Sequence, residues 1–94
     1  MNNNVNLIFK PDIVCLAGYD YGKLIYDTQV NGKIDFDYDF YITIPDDIEL
    51  IFSSFIQGFL CDIINSIGVS STAKRIHIIS KNPQIEQFFS KELR

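Results

Sequence analysis

The period of the apolar residues changes at a pair of serines in the middle of this chain, and that change restricts the fold more than any other feature. Up to Phe52 the apolar residues form a short run that is typical of a buried strand. Beyond Ser53 and Ser54 they recur at the three- and four-residue spacings of one helical face, at Phe55, Ile56, Phe59, Leu60, Ile63, Ile64 and Ile67. The sequence therefore predicts a buried strand that leads directly into an amphipathic helix over about 54–67, which Gly68 ends.

Four other segments have the pattern of strands. Residues 5–9 alternate, and residues 12–17 form a short apolar run that we expect to pair with them as a hairpin. Residues 34–44 alternate apolar side chains with polar or aromatic ones, which predicts one long strand or two pieces with a bend between them. Residues 75–80 predict a short buried strand.

Two further segments favour helices. Residues 18–30 fit either a helix or a strand, and we favour a helix that Asp20 could cap. Asn82 and Pro83 form a typical helix start, which predicts a last helix through about Leu93. In the middle helix, Gly58 costs about 1 kcal/mol relative to alanine, and close packing of another backbone would explain it.

This order of elements predicts an α/β fold, a small two-layer sandwich in which helices pack mainly on one face of a mixed sheet of four or five strands. With 94 residues, we expect one domain over 1–94. Residues 1–4 have nothing to pack against, and we expect them to be disordered.

The charge is distributed unevenly. The net charge is −4, but residues 20–49 carry eight acids and two lysines, whereas residues 70–94 are mildly basic. Because phosphate contacts need a positive surface, we expect no direct binding of nucleic acid. No apolar run is long enough to suggest a membrane span, so we expect no membrane partner either.

The two cysteines and the lone histidine indicate no metal or redox chemistry. Cys15 and Cys61 lie among apolar neighbours, which favours small buried hydrophobic residues in a reducing cytoplasm. We expect a cytoplasmic protein, because the chain starts without the pattern of a secretory signal. With His77 they form no zinc-binding spacing, so we expect no metal and no cofactor.

A series of aspartates accompanies the alternating segment. On one strand face, Asp35, Asp37 and Asp39 would lie at intervals of about 6.6–7 Å. They would be too far apart to share one cation, because each ligand oxygen must lie within about 2.6 Å of the ion. They predict a solvated acidic face or a surface that binds a partner. Three more acids extend this candidate surface: Asp46, Asp47 and Glu49.

The serine pair has two interpretations. Ser54 with Gln57 fits a capping box, in which the hydroxyl accepts from the backbone N–H three residues on. Alternatively, Ser53 or Ser54 is a phosphoacceptor, because a phosphoserine would place its negative charge at the positive end of the helix dipole.

Residues 33–93 resemble the STAS domain, and more closely the STAS-like proteins of bacterial and phage genomes. The resemblance rests on IDFDYDF, on IELIFSSFIQGFL and on RIHIISKNPQIEQFF. It implies a mixed sheet with helices largely on one face, and a serine at the helix start that a partner kinase phosphorylates. Ser53 matches that position, whereas Phe52 and Phe55 replace the aspartate and glycine of the family motif. The STAS-like relatives share the pair Ser54-Phe55.

Two function classes follow. The first is a non-enzymatic regulatory module that binds another protein, such as a kinase or ATPase-like regulator, around the start of the helix. The alternative is a small acidic phage inhibitor, an anti-defence protein whose carboxylates imitate phosphates and occupy a nucleic-acid-binding host protein. Whether the chain forms a homodimer stays an open question. We expect no enzyme and no catalytic residues, because no nucleophile–base pair or metal set can be assembled.

Overall fold

Short parallel strands and three helices make up residues 3–93, the part of the chain that the computed structural model describes. The elements are β1 (Asn4–Asn6), β2 (Cys15–Leu16), α1 (Tyr19–Ile25, continued by a π-helical turn over Tyr26–Val30), β3 (Phe40–Thr43), β4 (Leu50–Ile51), α2 (Ser53–Arg75), β5 (Ile76–Ile79) and α3 (Pro83–Glu92). The predicted α/β class is confirmed.

The strands form two small sheets rather than the single mixed sheet of four or five strands that the sequence predicted. One sheet has the order β1-β3-β5, and the other joins β2 to β4. Every pairing is parallel. The predicted hairpin of residues 5–9 with residues 12–17 is wrong, because β1 pairs instead with β3, where Val5 lies beside the fully buried Ile42. A turn closed by the hydrogen bond from Ile13 N to Lys10 O leads the chain towards β4.

The long strand predicted for residues 34–44 is correct only over β3. Residues 34–39 form turns and irregular backbone. The strands beside β3 are only three and four residues long, so residues 34–39 have no ladder to join. A strand extends only as far as its partners do.

The side chain of Asn3 holds this irregular segment in place. Its Nδ2 donates to the carbonyl oxygens of Asp35 (2.8 Å) and Asp39 (3.0 Å), and its Oδ1 accepts from Asp35 N (2.9 Å). The predicted disorder of residues 1–4 is therefore wrong for Asn3, and for Asn4, which is part of β1. Met1 and Asn2 lie outside the described residues.

The predicted amphipathic helix is confirmed as the first part of α2. Its apolar face forms the centre of the core, where five side chains are at most 1% exposed: Phe55, Ile56, Phe59, Leu60 and Ile63. Gly68 interrupts the helix with a φ of 84°, as its position predicted. The chain then resumes a helical path to Arg75. Thr72 is buried there, and its hydroxyl donates to Gly68 O (2.7 Å).

Helices α1 and α2 touch through two glycines, which confirms the close approach that Gly58 indicated. A Cβ added to Gly58 would collide with the carbonyl group of Tyr19, 2.8 Å from its carbon. A Cβ added to Gly22 would collide with Phe55 O and lie 2.7 Å from Phe59 N. The two backbones therefore meet directly, with no room for a side chain at either position.

The helix boundaries agree with the sequence at α3 and differ at α1. Asn82 caps α3, since its Oδ1 accepts from Gln84 N (3.0 Å), and Pro83 occupies the first turn. The N-cap of α1 is Gly18, with a φ of 100°, so the predicted cap by Asp20 is wrong. None of the helices within residues 3–93 combines the length and the apolar character needed to cross a membrane.

Candidate functional site

The junction between β4 and α2 places the two serines in different environments. Ser53 is the first residue of α2 and is exposed, whereas Ser54 is half-buried. The N-cap residue is Phe52, which has extended backbone and no side-chain group that can bond the helix N–H groups. A phosphoacceptor at this junction needs an accessible hydroxyl, and Ser53 has one.

The predicted capping box is wrong. Ser54 lies inside the first turn, where its hydroxyl cannot reach the N–H three residues on. Its Oγ instead accepts from the backbone N–H of Gly18 (3.0 Å), at the start of α1. The amide of Gln57 reaches the carboxylate of Glu92 in α3 (3.4 Å). Ser54 thus joins the starts of two helices rather than capping one.

We expect Ser54→Ala to lower the free energy of unfolding by about 1 kcal/mol, because the Gly18 N–H loses its acceptor in a half-buried site. Ser53→Ala is the matched control, and we expect it to stay within about ±0.5 kcal/mol of the unchanged protein since its hydroxyl is exposed. Urea unfolding followed by circular dichroism measures both. Equal values for the two variants would contradict the assigned contact.

The strands that precede α2 expose an apolar surface beside Ser53. Cys15 lies opposite Leu50 in the β2–β4 pair, and Ala17 and Phe52 follow on the same side, because alternate residues of a strand share a face. All four are exposed, with Leu50 at 40% and Phe52 at 47%. We call this surface, formed by Cys15, Ala17, Leu50 and Phe52, the ribbon patch.

The sequence did not indicate the ribbon patch, and two predictions about its residues are wrong. The run ending at Phe52 was predicted to be a buried strand, yet only Ile48 and Ile51 of its apolar residues are buried. Cys15 was predicted to be buried and is exposed. The alternation of side chains along β4 was the only signal in the sequence. Because apolar residues occupy both faces of this strand, the alternation does not tell which face is exposed.

The acids that precede β4 in the chain are exposed. Glu49 immediately precedes β4, where its backbone N–H donates to Val14 O (2.8 Å). Asp47 is exposed two residues earlier, and Asp46 pairs with Lys81 (3.2 Å). Because alternate residues of a strand share a face, Glu49 lies on the side of β4 opposite Leu50 and Phe52.

The other three aspartates do not form a row on a strand face. Asp35 accepts the backbone N–H of Asp37 on its own Oδ1 (3.0 Å), which closes a local turn. Asp39 pairs with His77 across the sheet edge, at 3.2 Å between Oδ2 and Nε2. The ring of His77 also stacks on Tyr41, with centroids 4.7 Å apart. The regular spacing that the sequence predicted for these carboxylates is therefore wrong, because residues 34–39 are not a strand.

A polar cluster that the sequence did not indicate lies where α1 and α2 face each other. The Tyr19 hydroxyl donates to Cys61 Sγ (3.1 Å), and Lys23 pairs with Asp62 (3.5 Å). The hydrogen bond to Cys61 raises the pKa of Tyr19, because the neutral hydroxyl is the donor. The carboxylate of Asp62 raises the pKa of Lys23. Cys61 is half-exposed rather than buried as predicted.

Within residues 3–93, no three histidine, cysteine, aspartate or glutamate side chains are grouped so that they could hold a metal ion. Comparison with known proteins found no matching family model, no similar curated protein and no similar solved structure.

Proposed function

We propose that this chain is a non-enzymatic regulatory module of STAS-like type, which binds a partner protein through the ribbon patch and is switched by phosphorylation of Ser53. The observation that carries the proposal is the placement of an exposed apolar strand face directly beside an exposed hydroxyl at the start of a helix. An exposed apolar patch is typical of a protein-binding surface.

The position of Ser53 makes an effective switch. A phosphoserine carries about −1.5 to −2 charges, which the positive end of the α2 dipole tolerates. The same charge, beside Phe52, would repel an acidic partner and would be costly to desolvate under an apolar one. Phosphorylation would therefore weaken binding while it leaves the fold intact.

The STAS-like assignment belongs to this proposal. Two arrangements support it: a strand that leads directly into the longest helix, and a serine at the first residue of that helix. The fully buried side chains of β3, Phe40 and Ile42, share one core with the apolar face of α2, as a sheet with helices packed on one face requires.

The alternative function, a small acidic phage inhibitor, stays a prediction, and the geometry favours it less than the regulatory module. An imitation of the phosphate backbone needs free carboxylates at regular intervals. Asp39 and Asp46 are already paired with His77 and Lys81, and Asp35 is engaged in its own turn.

Site-specific crosslinking in the native cell tests the proposal. A photo-reactive phenylalanine analogue at Phe52 should give one defined adduct with a second protein. The same analogue at Leu24, which is 54% exposed on α1, is the matched control and should give none. In the protein that carries the photo-reactive analogue at position 52, Ser53→Asp should remove the adduct, and Ser53→Ala should retain it.

Intact-mass analysis of the protein from the same cells completes the test. We expect a fraction with one added phosphate, which Ser53→Ala removes and Ser54→Ala does not. Absence of phosphate would overturn the switch, and equal crosslinking from positions 52 and 24 would overturn the binding surface.

A further inference from the structure

Strand β5 forms an edge of the three-stranded sheet with its outer side open. Successive residues of a strand direct their backbone N–H and C=O groups to opposite sides. Ile79 faces β3, since its carbonyl accepts from Ile44 N (2.8 Å). Ile78 therefore faces outward, and no group within residues 3–93 forms a hydrogen bond with its N–H or C=O across that edge. Such an edge is a template for another strand.

On the opposite side of the same sheet, a side chain occupies the edge just beyond β1. Just beyond β1, the amide of Gln29 accepts from Ile8 N (2.8 Å) and donates to Ile8 O (2.8 Å). These two bonds reproduce those of a neighbouring strand, so an added chain cannot bond Ile8. On that side a further strand could therefore pair with the three residues of β1 but could not continue to Ile8.

A cleft of about 570 Å³ lies beside the open edge. Its apolar lining includes Ile76 and Ile78 of β5 and Phe89 and Leu93 at the end of the chain, and Glu86 contributes a carboxylate. The volume is within the range of about 300–1000 Å³ that is typical of ligand-binding clefts. An extended chain placed in it would alternate its side chains between α3 and the face that carries His77.

We propose that this cleft binds an extended peptide segment of a partner protein, which adds to β5 as a fourth strand. The main-chain hydrogen bonds to Ile78 supply the docking geometry, and apolar side chains at alternate positions pack against the partly exposed Ile76 and Ile78. A basic side chain of the peptide pairs with Glu86, which forms no ion pair with the described residues.

The charges favour a basic peptide over a second copy of this chain. Two-fold pairing of β5 with another β5 would place two α3 helices side by side and bring two Glu86 carboxylates to the same interface. The cleft shares no residue with the ribbon patch, so this inference is independent of the proposed function.

Amide hydrogen exchange of the free protein is the first test. The Ile78 amide should exchange faster than the Ile79 amide by about tenfold or more, because only the latter is paired within the sheet. Sedimentation equilibrium should give a monomer. Slow exchange at Ile78 in the monomer would overturn the open edge, and a dimer that protects Ile78 would assign the edge to a second copy.

Titration with a defined peptide is the second test. The probe is an acetylated and amidated heptapeptide of alternating valine and threonine with a central lysine. It should shift the Ile78 amide resonance and slow its exchange. Alternate residues of the bound peptide direct their N–H groups towards β5 or away from it. N-methylation of the set that faces β5 should abolish binding, whereas methylation of the set that faces away should leave binding unchanged. Equal binding of both methylated peptides, or no change at Ile78 with millimolar peptide, would overturn strand addition.

Two variants test the role of Glu86. Glu86→Gln should weaken binding of the lysine peptide by about two- to fivefold, the effect of one exposed ion pair. Glu49→Gln removes an exposed carboxylate outside the cleft and should leave the affinity unchanged. Equal effects of the two variants would overturn the assigned pairing with Glu86.

Discussion

Replacing Phe59 with alanine is expected to lower the free energy of unfolding by about 3–5 kcal/mol. The ring is fully buried and stacks on Phe55, with centroids 6.0 Å apart. It also meets the rings of Tyr26 and Phe89 edge-on, each at 6.1 Å. Phe59 therefore joins α2 to the helical segment after α1 and to α3, and its removal leaves a cavity that three elements must share.

Urea unfolding monitored by circular dichroism measures this loss, which is a large part of the roughly 5–15 kcal/mol that stabilises a domain of this size. Phe52→Ala is the matched control, because it removes the same atoms from a side chain that is 47% exposed. We expect that variant to lose less than about 1 kcal/mol. Similar losses in both variants would show that Phe59 is not a central core residue.

Gly58→Ala is expected to destabilise the protein by about 3 kcal/mol, at the upper end of what overpacking costs. In an ordinary helix the same change stabilises by about 0.5–1 kcal/mol. The sign reverses here because the new methyl group would meet the backbone of Tyr19, and a backbone cannot rotate aside as a side chain can. Thermal unfolding should show a clearly lowered midpoint.

Gly68→Ala separates this steric cost from conformational strain. A Cβ at Gly68 meets no atom within 4 Å, but its φ of 84° is unfavourable for alanine. We expect a loss of about 1–3 kcal/mol there, because with a ψ of 163° the residue occupies a region that is essentially restricted to glycine. A gain in stability from Gly58→Ala would contradict the direct contact between α1 and α2.

Local sequence signals located the helices well. The spacing of apolar residues after Ser54 identified the buried face of α2, and Gly68 marked the interruption of that helix. Asn82 with Pro83 identified the start of α3. Each of these signals acts within one or two helical turns, so the residues that carry it are also the ones that form the element.

The candidate site was predictable only in part. The exposure of Ser53 followed from its place at the mouth of a helix. The hydrogen bond between Ser54 and Gly18 did not, because its partners are 36 residues apart and local spacing suggested a capping box instead. The outward direction of Leu50 and Phe52 depends on β2, with which β4 pairs.

By itself the sequence determined the α/β class, the first part of α2, the position of α3 and the close packing at Gly58. Only the tertiary structure decided where the strands end and which strands pair. Apolar and polar side chains alternate over residues 34–39 as regularly as they do in β3. However, β1 and β5 are too short to pair with residues 34–39, and Asn3 holds this segment in a turn. Helical hydrogen bonds close within four residues of their origin, whereas a strand exists only where a distant segment supplies its partner.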